Sequence, residues 1–178
     1  VAAAQRGDAA AIEALVRSVQ RPVYAALSRM LMHLSPDDLD DVAQDAFVRI
    51  IDRLDRYRDD GRARFTTWAV TVAMRVGLDA RRKKVRHLQR VGASEALDTA
   101  VASGPGPEAR ARGQRLADRV NAAMAALTPE QRGVLILRGF HELTYDEIGA
   151  ALDLTVPAVK SRLNRARTAL RDAMEGTS

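Results

Sequence analysis

Apolar residues recur at three- and four-residue intervals through most of this chain, and almost nowhere do β-branched residues alternate with polar ones over a strand's length. A period near 3.6 puts one apolar stripe on each helix, so such a chain buries its stripes by packing helix on helix. The first stripe is Ile12, Leu15, Val16, Val19, Val23, Leu27 and Met30, preceded by Gly7-Asp8 as turn and N-cap. Pro22 falls inside it and is expected to break or kink that helix near its middle. Ser35-Pro36 reads as an N-cap with Pro at the first helical position, and Asp37 and Asp38 suit the positive end of the helix dipole. Behind them Leu39, Val42, Ala46, Phe47, Ile50 and Leu54 share a face. The stretch DDGRARFT at 59–66 is polar, contains Gly61 and reads as a loop. A third helix carries Phe65, Trp68, Ala69, Val72 and Val76 on one side and is expected to end in the basic run Arg81-Arg82-Lys83-Lys84.

Periodicity lapses between Gly92 and Glu108, a stretch that contains Gly104-Pro105-Gly106-Pro107 and reads as an interdomain linker. It resumes with Leu116, Val120, Met124 and Leu127. Thr128-Pro129-Glu130-Gln131 and Thr144-Tyr145-Asp146-Glu147 both fit capping boxes. The first leads into Val134, Leu135 and Leu137, and the second opens a short helix with Ile148, Ala151 and Leu152. Asp153-Leu154 turns, Thr155 can cap, and a last helix sets Val159, Leu163, Ala166 and Leu170 inward. Two capped helices across a short turn suggest a helix-turn-helix. The expected fold is all-α: a helical domain over 8–90, a flexible linker over 91–111, and a helix-turn-helix domain over 112–175.

Charge narrows the function. Lys and Arg number 28 against 23 Asp and Glu, giving a net charge of +5. Hydrophobic residues at 47% exclude a wholly disordered chain, and the absence of Cys excludes disulfides, thiolate metal sites and Cys nucleophiles. No apolar run approaches the roughly 18 residues of a membrane span, and no signal-peptide pattern opens the chain, so a soluble, intracellular, basic protein is expected. His33, His87 and His141 stand apart without metal-ligand spacing or a nucleophile motif, which sets catalysis aside and leaves no cofactor or metal implied.

The last helix is the most informative segment. Lys160, Ser161, Asn164, Arg165, Thr168 and Arg171 fall mainly on its outer side, with Arg162 and Arg167 on the flanks, and from 160 to 171 there are five basic residues and no acidic one. A solvated helix usually mixes signs for i,i+4 pairs. Here Arg and Asn can reach purine edges while Ser, Thr and Lys reach phosphates, so major-groove reading stands against a merely solvated basic helix. The N-terminal half is polarised instead. From Pro36 to Asp60 nine Asp face four Arg, whereas from Arg75 to Arg90 seven basic residues face one Asp. An acidic helix repels DNA and suits a basic protein surface, unless it is simply solvated; the basic run suits phosphates. Trp68 lies on the apolar stripe, where core packing is the first reading and a place beside an unpaired strand the second.

LTYDEIGAALDLTVPAVKSRLNRARTALRDAM resembles the −35-reading region of extracytoplasmic-function (group IV) sigma factors of bacterial RNA polymerase, in the sigma-70 family. DLDDVAQDAFVRII resembles that family's polymerase-docking helix, and FTTWAVTVAMRVGLDARRKK its −10-engaging helix. The resemblance spans roughly Ala9 to Met174, with the motifs in the family's order. It implies a promoter-specificity factor, not an enzyme, in the bacterial cytoplasm. Its partners would be core RNA polymerase (clamp coiled coil and flap), promoter DNA both duplex and single-stranded, and an anti-sigma factor, with no membrane insertion. Lys160, Ser161, Arg162, Asn164, Arg165 and Thr168 would read the −35 element. Arg62, Arg64, Thr66, Thr67, Arg75, Arg81, Arg82, Lys83 and Lys84 would serve the −10 element and melted strand. Asp41, Gln44, Asp45 and Arg49 would bind the polymerase. The linker is either a passive tether or, as in the family, a thread through the polymerase channels.

The chain departs from the family pattern in three places. Arg75 and Met74 stand where Asn and Arg, respectively, are frequent, and Val156-Pro157-Ala158 replaces a common Val-Gly-Thr. Gly149 replaces a usual Ala, which by propensity alone weakens its helix slightly. Two other readings compete with the resemblance: a helix-turn-helix regulator that binds duplex operators by itself as a dimer, and a helical adaptor whose basic surfaces serve only solubility.

Overall fold

The computed structural model describes residues 1–59, 64–91 and 119–175, and the ordered elements within these ranges are helices joined by turns. In chain order they are α1 (Ala2–Gln5), α2 (Ala9–Met30), α3 (Pro36–Asp52), a 3-10 turn (Leu54–Arg56), α4 (Phe65–Val91), α5 over 119–125, α6 (Pro129–Phe140), α7 (Tyr145–Leu152) and α8 (Val156–Glu175). The expected linker lies outside the described residues except for Val91, which ends α4.

Most boundaries follow the caps. Asp8 accepts the Ala11 amide at 2.8 Å, Ser35 accepts that of Asp38 at 3.1 Å, and both Thr128–Gln131 and Thr144–Glu147 close reciprocal capping boxes. The Glu147 carboxylate accepts from both the backbone N–H and the hydroxyl of Thr144, each at 2.7 Å, which holds its pKa below the ordinary glutamate value.

Two expectations about helix ends are corrected. α2 runs through Pro22 without a break. The lost amide and ring clash cost about 3 kcal/mol, but Val19, Val23, Ala26 and Leu27 are buried on both sides of it, and a break would expose that stripe. α4 likewise continues past the Arg81–Lys84 run to Val91, since no Gly or Pro interrupts the sequence before Gly92. The short α1 fell outside the helices expected from the sequence. Gln5 ties it down by donating from Nε2 to the carbonyls of Leu54 and Tyr57, both at 2.9 Å.

α2, α3 and α4 pack on one another through Val23, Leu27, Met30, Val42, Ala46, Ile50, Val70 and Met74. α6, α7 and α8 pack through Val134, Leu137, Ile148, Leu152, Val159 and Leu163. These two groups meet: α6 and α7 lie against α2 and α4, so the buried side chains form one continuous core.

Gly149 gives the propensity argument a different answer. A Cβ there would lie 2.6 Å from the Leu154 carbonyl oxygen, and the Leu154 amide donates back to the Gly149 carbonyl at 2.9 Å. Close approach of the α7–α8 turn therefore calls for Gly at this position. The turn itself passes through Asp153 in the left-handed region, φ 59° and ψ 52°, a conformation Asp tolerates better than most residues.

Candidate nucleic-acid interface

α8 divides as its sequence periodicity predicts at most positions, with Arg167 facing solvent and Thr168 on the flank instead of the reverse. Val159, Leu163 and Ala166 are buried, whereas Lys160, Ser161, Asn164, Arg165, Arg167 and Arg171 are exposed. Arg162 and Thr168 sit half-buried on the flanks. The helix start is held by Thr155, whose hydroxyl accepts the Ala158 amide at 3.4 Å, and Pro157 falls in the first turn, where its missing N–H is harmless. The Lys160 ammonium lies 5.7 Å from the Tyr145 ring centroid, within cation–π range. This solvent-facing row, basic and free of carboxylates, spans three turns on the second helix of a helix-turn-helix.

α4 carries the second basic set. Arg64 is exposed just before the helix, Thr66 and Thr67 are half-buried in its first turn, and Arg82, Lys83 and Lys84 are exposed further along. Fourteen residues separate Thr67 from Arg81, about 21 Å of helix rise, so these residues form a track along one rod rather than a pocket. Arg62 lies outside the described residues. Beside Thr67, Trp68 stacks on Phe65 with centroids 5.6 Å apart, and Tyr57 meets Phe65 edge-on at 5.3 Å. Trp68 is half-buried against the core.

Several of the α4 cations are already paired. Arg75 approaches Asp153 of the α7–α8 turn at 3.9 Å, Arg81 meets Glu130 of α6 at 3.1 Å, Arg82 meets Asp79 at 3.3 Å, and Lys84 meets Asp38 of α3 at 3.2 Å. The Lys84 ammonium and the Ser35 hydroxyl together hold the Asp38 carboxyl below its ordinary range. Lys83 is exposed on the same track.

α3 presents Asp41, Gln44, Asp45 and Arg49, all exposed, on the side away from its core stripe. Phe47 packs against the core. Sequence reasoning missed two neighbours on this side, Val48 (53% exposed) and Ile51 (40% exposed). Val48 follows Gln44 by four residues and Asp45 by three, so it sits on the same face. The signal was available: both residues fall off the Ala46–Ile50 stripe and are apolar without a core role.

Arg132 was missed entirely. It is 3% exposed on α6, where its Nε donates to the Met30 carbonyl at 2.8 Å and its Nη1 to the carbonyls of Met124 (2.9 Å) and Leu127 (2.8 Å). Burial, with Arg81 nearby, lowers its pKa to about 10, which leaves it charged at neutral pH. His33 lies 3.4 Å from its Nη2 and is pushed down to about 4, first by burial and then by the Arg132, Arg81 and Lys84 charges. Burial also lowers the His141 pKa. Among the described residues no three His, Asp or Glu side chains converge as metal ligands, and no helix is long and apolar enough to cross a membrane.

Comparison with known proteins assigns the two halves. Residues 15–87 match the family model described as Sigma-70 region 2, and residues 117–170 match Sigma-70, region 4. These define a sigma-type transcription-initiation factor, a non-enzymatic class. The ECF RNA polymerase sigma factor SigE of Mycolicibacterium smegmatis is 32% identical over 93% of this chain, which spans 63% of SigE's length. SigW of Bacillus subtilis, also an ECF RNA polymerase sigma factor, is 30% identical over 94% of this chain and 90% of its own. The chain belongs to the ECF RNA polymerase sigma factors. In fold it is similar to Bartonella quintana RpoE, solved in complex with the anti-sigma factor NepR, with a TM-score of 0.70 at 18% identity over 92% of this chain and 96% of that one. It is also similar to CnrH, solved with the cytosolic domain of CnrY, with a TM-score of 0.62 at 26% identity over 99% and 96%.

Proposed function

We propose that this chain directs core RNA polymerase to its promoters through three helix faces. α8 enters the major groove of the −35 element, where Asn164 and Arg165 face base edges and Lys160, Ser161, Arg162 and Thr168 hold the backbone. α4 and the segment before it serve the −10 element: Arg64, Thr66 and Thr67, with Arg62 preceding them, line the place where an unpaired base is held, while Arg75 and Arg81 through Lys84 follow the phosphates. Extracting a base costs a few kcal/mol, so a site that binds the base only when unstacked favours melting without ATP.

The third face is α3. Asp41, Gln44, Asp45 and Arg49 surround Val48 and Ile51, giving an apolar centre with a charged rim, the composition of a protein-binding hot spot. Its partner is the clamp coiled coil of the polymerase. Residues 8–90 form the polymerase and −10 module and 112–175 the −35 module that also reaches the flap, joined by the linker between them. Such a factor works in the bacterial cytoplasm, and an anti-sigma factor is a fitting regulator, given the complexes in which RpoE and CnrH were solved.

The observation that carries this reading is the segregation of charge: from Lys160 to Arg171 the exposed face of α8 holds no carboxylate, while α3 of the same chain has an acidic exposed face. The test is transcription with purified core enzyme over a broad promoter library, with and without the chain. Promoter-dependent product that requires the chain is expected. Its absence across the library, or tight operator binding without polymerase, would favour the stand-alone regulator.

A further inference from the structure

Arg132 is a buried cation without a counter-ion of its own. It is 3% exposed, and its Nε and Nη1 are taken up by the carbonyls of Met30, Met124 and Leu127. Those carbonyls satisfy N–H groups but carry no net charge. Among the described residues the carboxylate that acts on it is Glu130, and Glu130 is bound to Arg81 at 3.1 Å. Lys84, whose charge also reaches this place, is paired with Asp38. The charge of Arg132 is therefore left over, and a charge held out of water is costly until an opposite one joins it.

A cleft of about 240 Å³ opens beside that charge. Arg132, Arg81, His33 and Thr128 line it together with Met32 and Leu127, and none of its described lining residues is acidic. The Nη2 of Arg132 has His33 Nδ1 as its partner at 3.4 Å. A guanidinium only donates, so Nδ1 is the bare ring nitrogen and Nε2 carries the proton. The lowered pKa of His33 keeps the ring in that neutral form at pH 7. The Thr128 hydroxyl accepts the Gln131 amide at 3.3 Å and still has its own proton to give. Thr128 also caps the N-terminus of α6, the positive end of that helix's dipole. Polar groups thus converge from the turn after α2, from α4 and from α6, while Met32 and Leu127 supply an apolar side.

We propose that this cleft binds a small organic phosphate monoester, its phosphoryl oxygens on Arg132, Arg81, His33 and Thr128 and its carbons against Met32 and Leu127. A tetrahedral dianion presents acceptors in several directions, which suits donors from three segments better than the two coplanar oxygens of a carboxylate. The volume sets the size, since sites for drug-sized ligands run to roughly 300–1,000 Å³; a phosphate carrying a few carbons fits better than a nucleotide. The proposal goes beyond the promoter reading and does not depend on it, and Arg81 is the residue the two share.

Calorimetric titration and thermal unfolding of the full chain test it, with glycerol 3-phosphate as probe and glycerol and inorganic phosphate as comparisons at matched ionic strength. The probe is expected to raise the melting temperature by roughly 3–6 °C at about ten times its dissociation constant. Glycerol should not bind, and inorganic phosphate should bind more weakly because it leaves Met32 and Leu127 uncovered. His33→Glu sets a carboxylate beside Arg132, so it should remove the response without lowering the melting temperature of the ligand-free chain. Arg81→Met frees Glu130 to repel phosphate and serves if His33→Glu fails to fold. It should weaken binding by about tenfold or more, the worth of one hydrogen bond to a charged group. Arg165→Ala separates the cleft from the basic face of α8, and its titration should match the parent's. No binding by the parent, equal binding by the parent, His33→Glu and Arg81→Met, or loss of binding in Arg165→Ala would overturn the site. Inorganic phosphate binding as tightly as the probe would overturn the organic ligand.

Discussion

Replacing Gly149 by Ala sets two ordinary effects against each other at the turn that aims α8. Ala is favoured over Gly in a helix by about 1 kcal/mol, so propensity alone predicts a more stable α7. The structure predicts the opposite sign. The new Cβ would lie 2.6 Å from the Leu154 carbonyl oxygen, and real Cβ atoms essentially never come within 3.0 Å of a neighbour, so a backbone group must retreat. The Leu154 amide is pinned to the Gly149 carbonyl in the same place, so the retreat strains that 2.9 Å bond too. Overpacking of this kind costs about 1–3 kcal/mol, which offsets or exceeds the propensity gain. Gly139→Ala is the control, because nothing lies within 4 Å of its added Cβ; it collects part of the propensity gain, near a helix end, without the clash. Thermal unfolding followed by circular dichroism should place Gly149→Ala below Gly139→Ala. At about 2–4 °C per kcal/mol for a chain of this size, the gap should be roughly 2–12 °C. If Gly149→Ala melts at or above Gly139→Ala, the close approach at the turn is not limiting and the reasoning fails.

Other outcomes follow from the same geometry. Arg165→Ala should cost about 1–3 kcal/mol of discrimination among −35 variants, whereas Lys83→Ala should weaken binding uniformly and lower the salt slope by about one; matching profiles in a salt titration would refute that division. Val48→Asp should weaken core-polymerase binding by about 1 kcal/mol or more in calorimetry, while its exposure keeps the stability change within about 0.5 kcal/mol; unchanged affinity would remove the α3 face as the docking site. His33 predicts an acid effect on stability where α6 packs on α2 and α4, since Arg132 of α6 and Arg81 and Lys84 of α4 face it and Glu130 neutralises Arg81. Its pKa of about 4 in the folded chain lies below the ordinary 6.5, so the neutral ring belongs to the folded state. The stabilisation is whole above pH 6.5 and is lost as pH falls toward 4. The melting temperature should drop over that window in the parent and less in His33→Gln; parallel curves would exclude His33 as the cause.

What was legible in the chain was what depends on neighbours three and four residues apart. Ser35, Thr128 and Thr144 announce helix starts because a cap is a local hydrogen bond, and the α8 stripe separates Val159 from Arg165 by period alone. Pro22 misled because its penalty is local while the burial that outweighs it comes from α3 and α4. Arg132 could not be placed from an isolated helix. Its role depends on the Met30 carbonyl, 102 residues away in sequence, although Gly133 and Ile136 beside it hint at a second buried face. Gly149 shows the same limit, since what makes Gly fit there is a carbonyl five residues on that the helix pattern does not contain. For the candidate faces, the polar residues were readable and the apolar centre at Val48 was passed over, because an apolar residue on a helix is ordinarily assigned to the core.

Trp68 is the single indole of this chain, and it sits against Phe65 and Tyr57 next to Thr67 at the head of α4. Its ultraviolet emission therefore reports on one corner of the molecule, unmixed with any other tryptophan. A nucleobase settling near that corner would dim or shift the signal without any added label, so promoter opening could be timed on the unmodified protein.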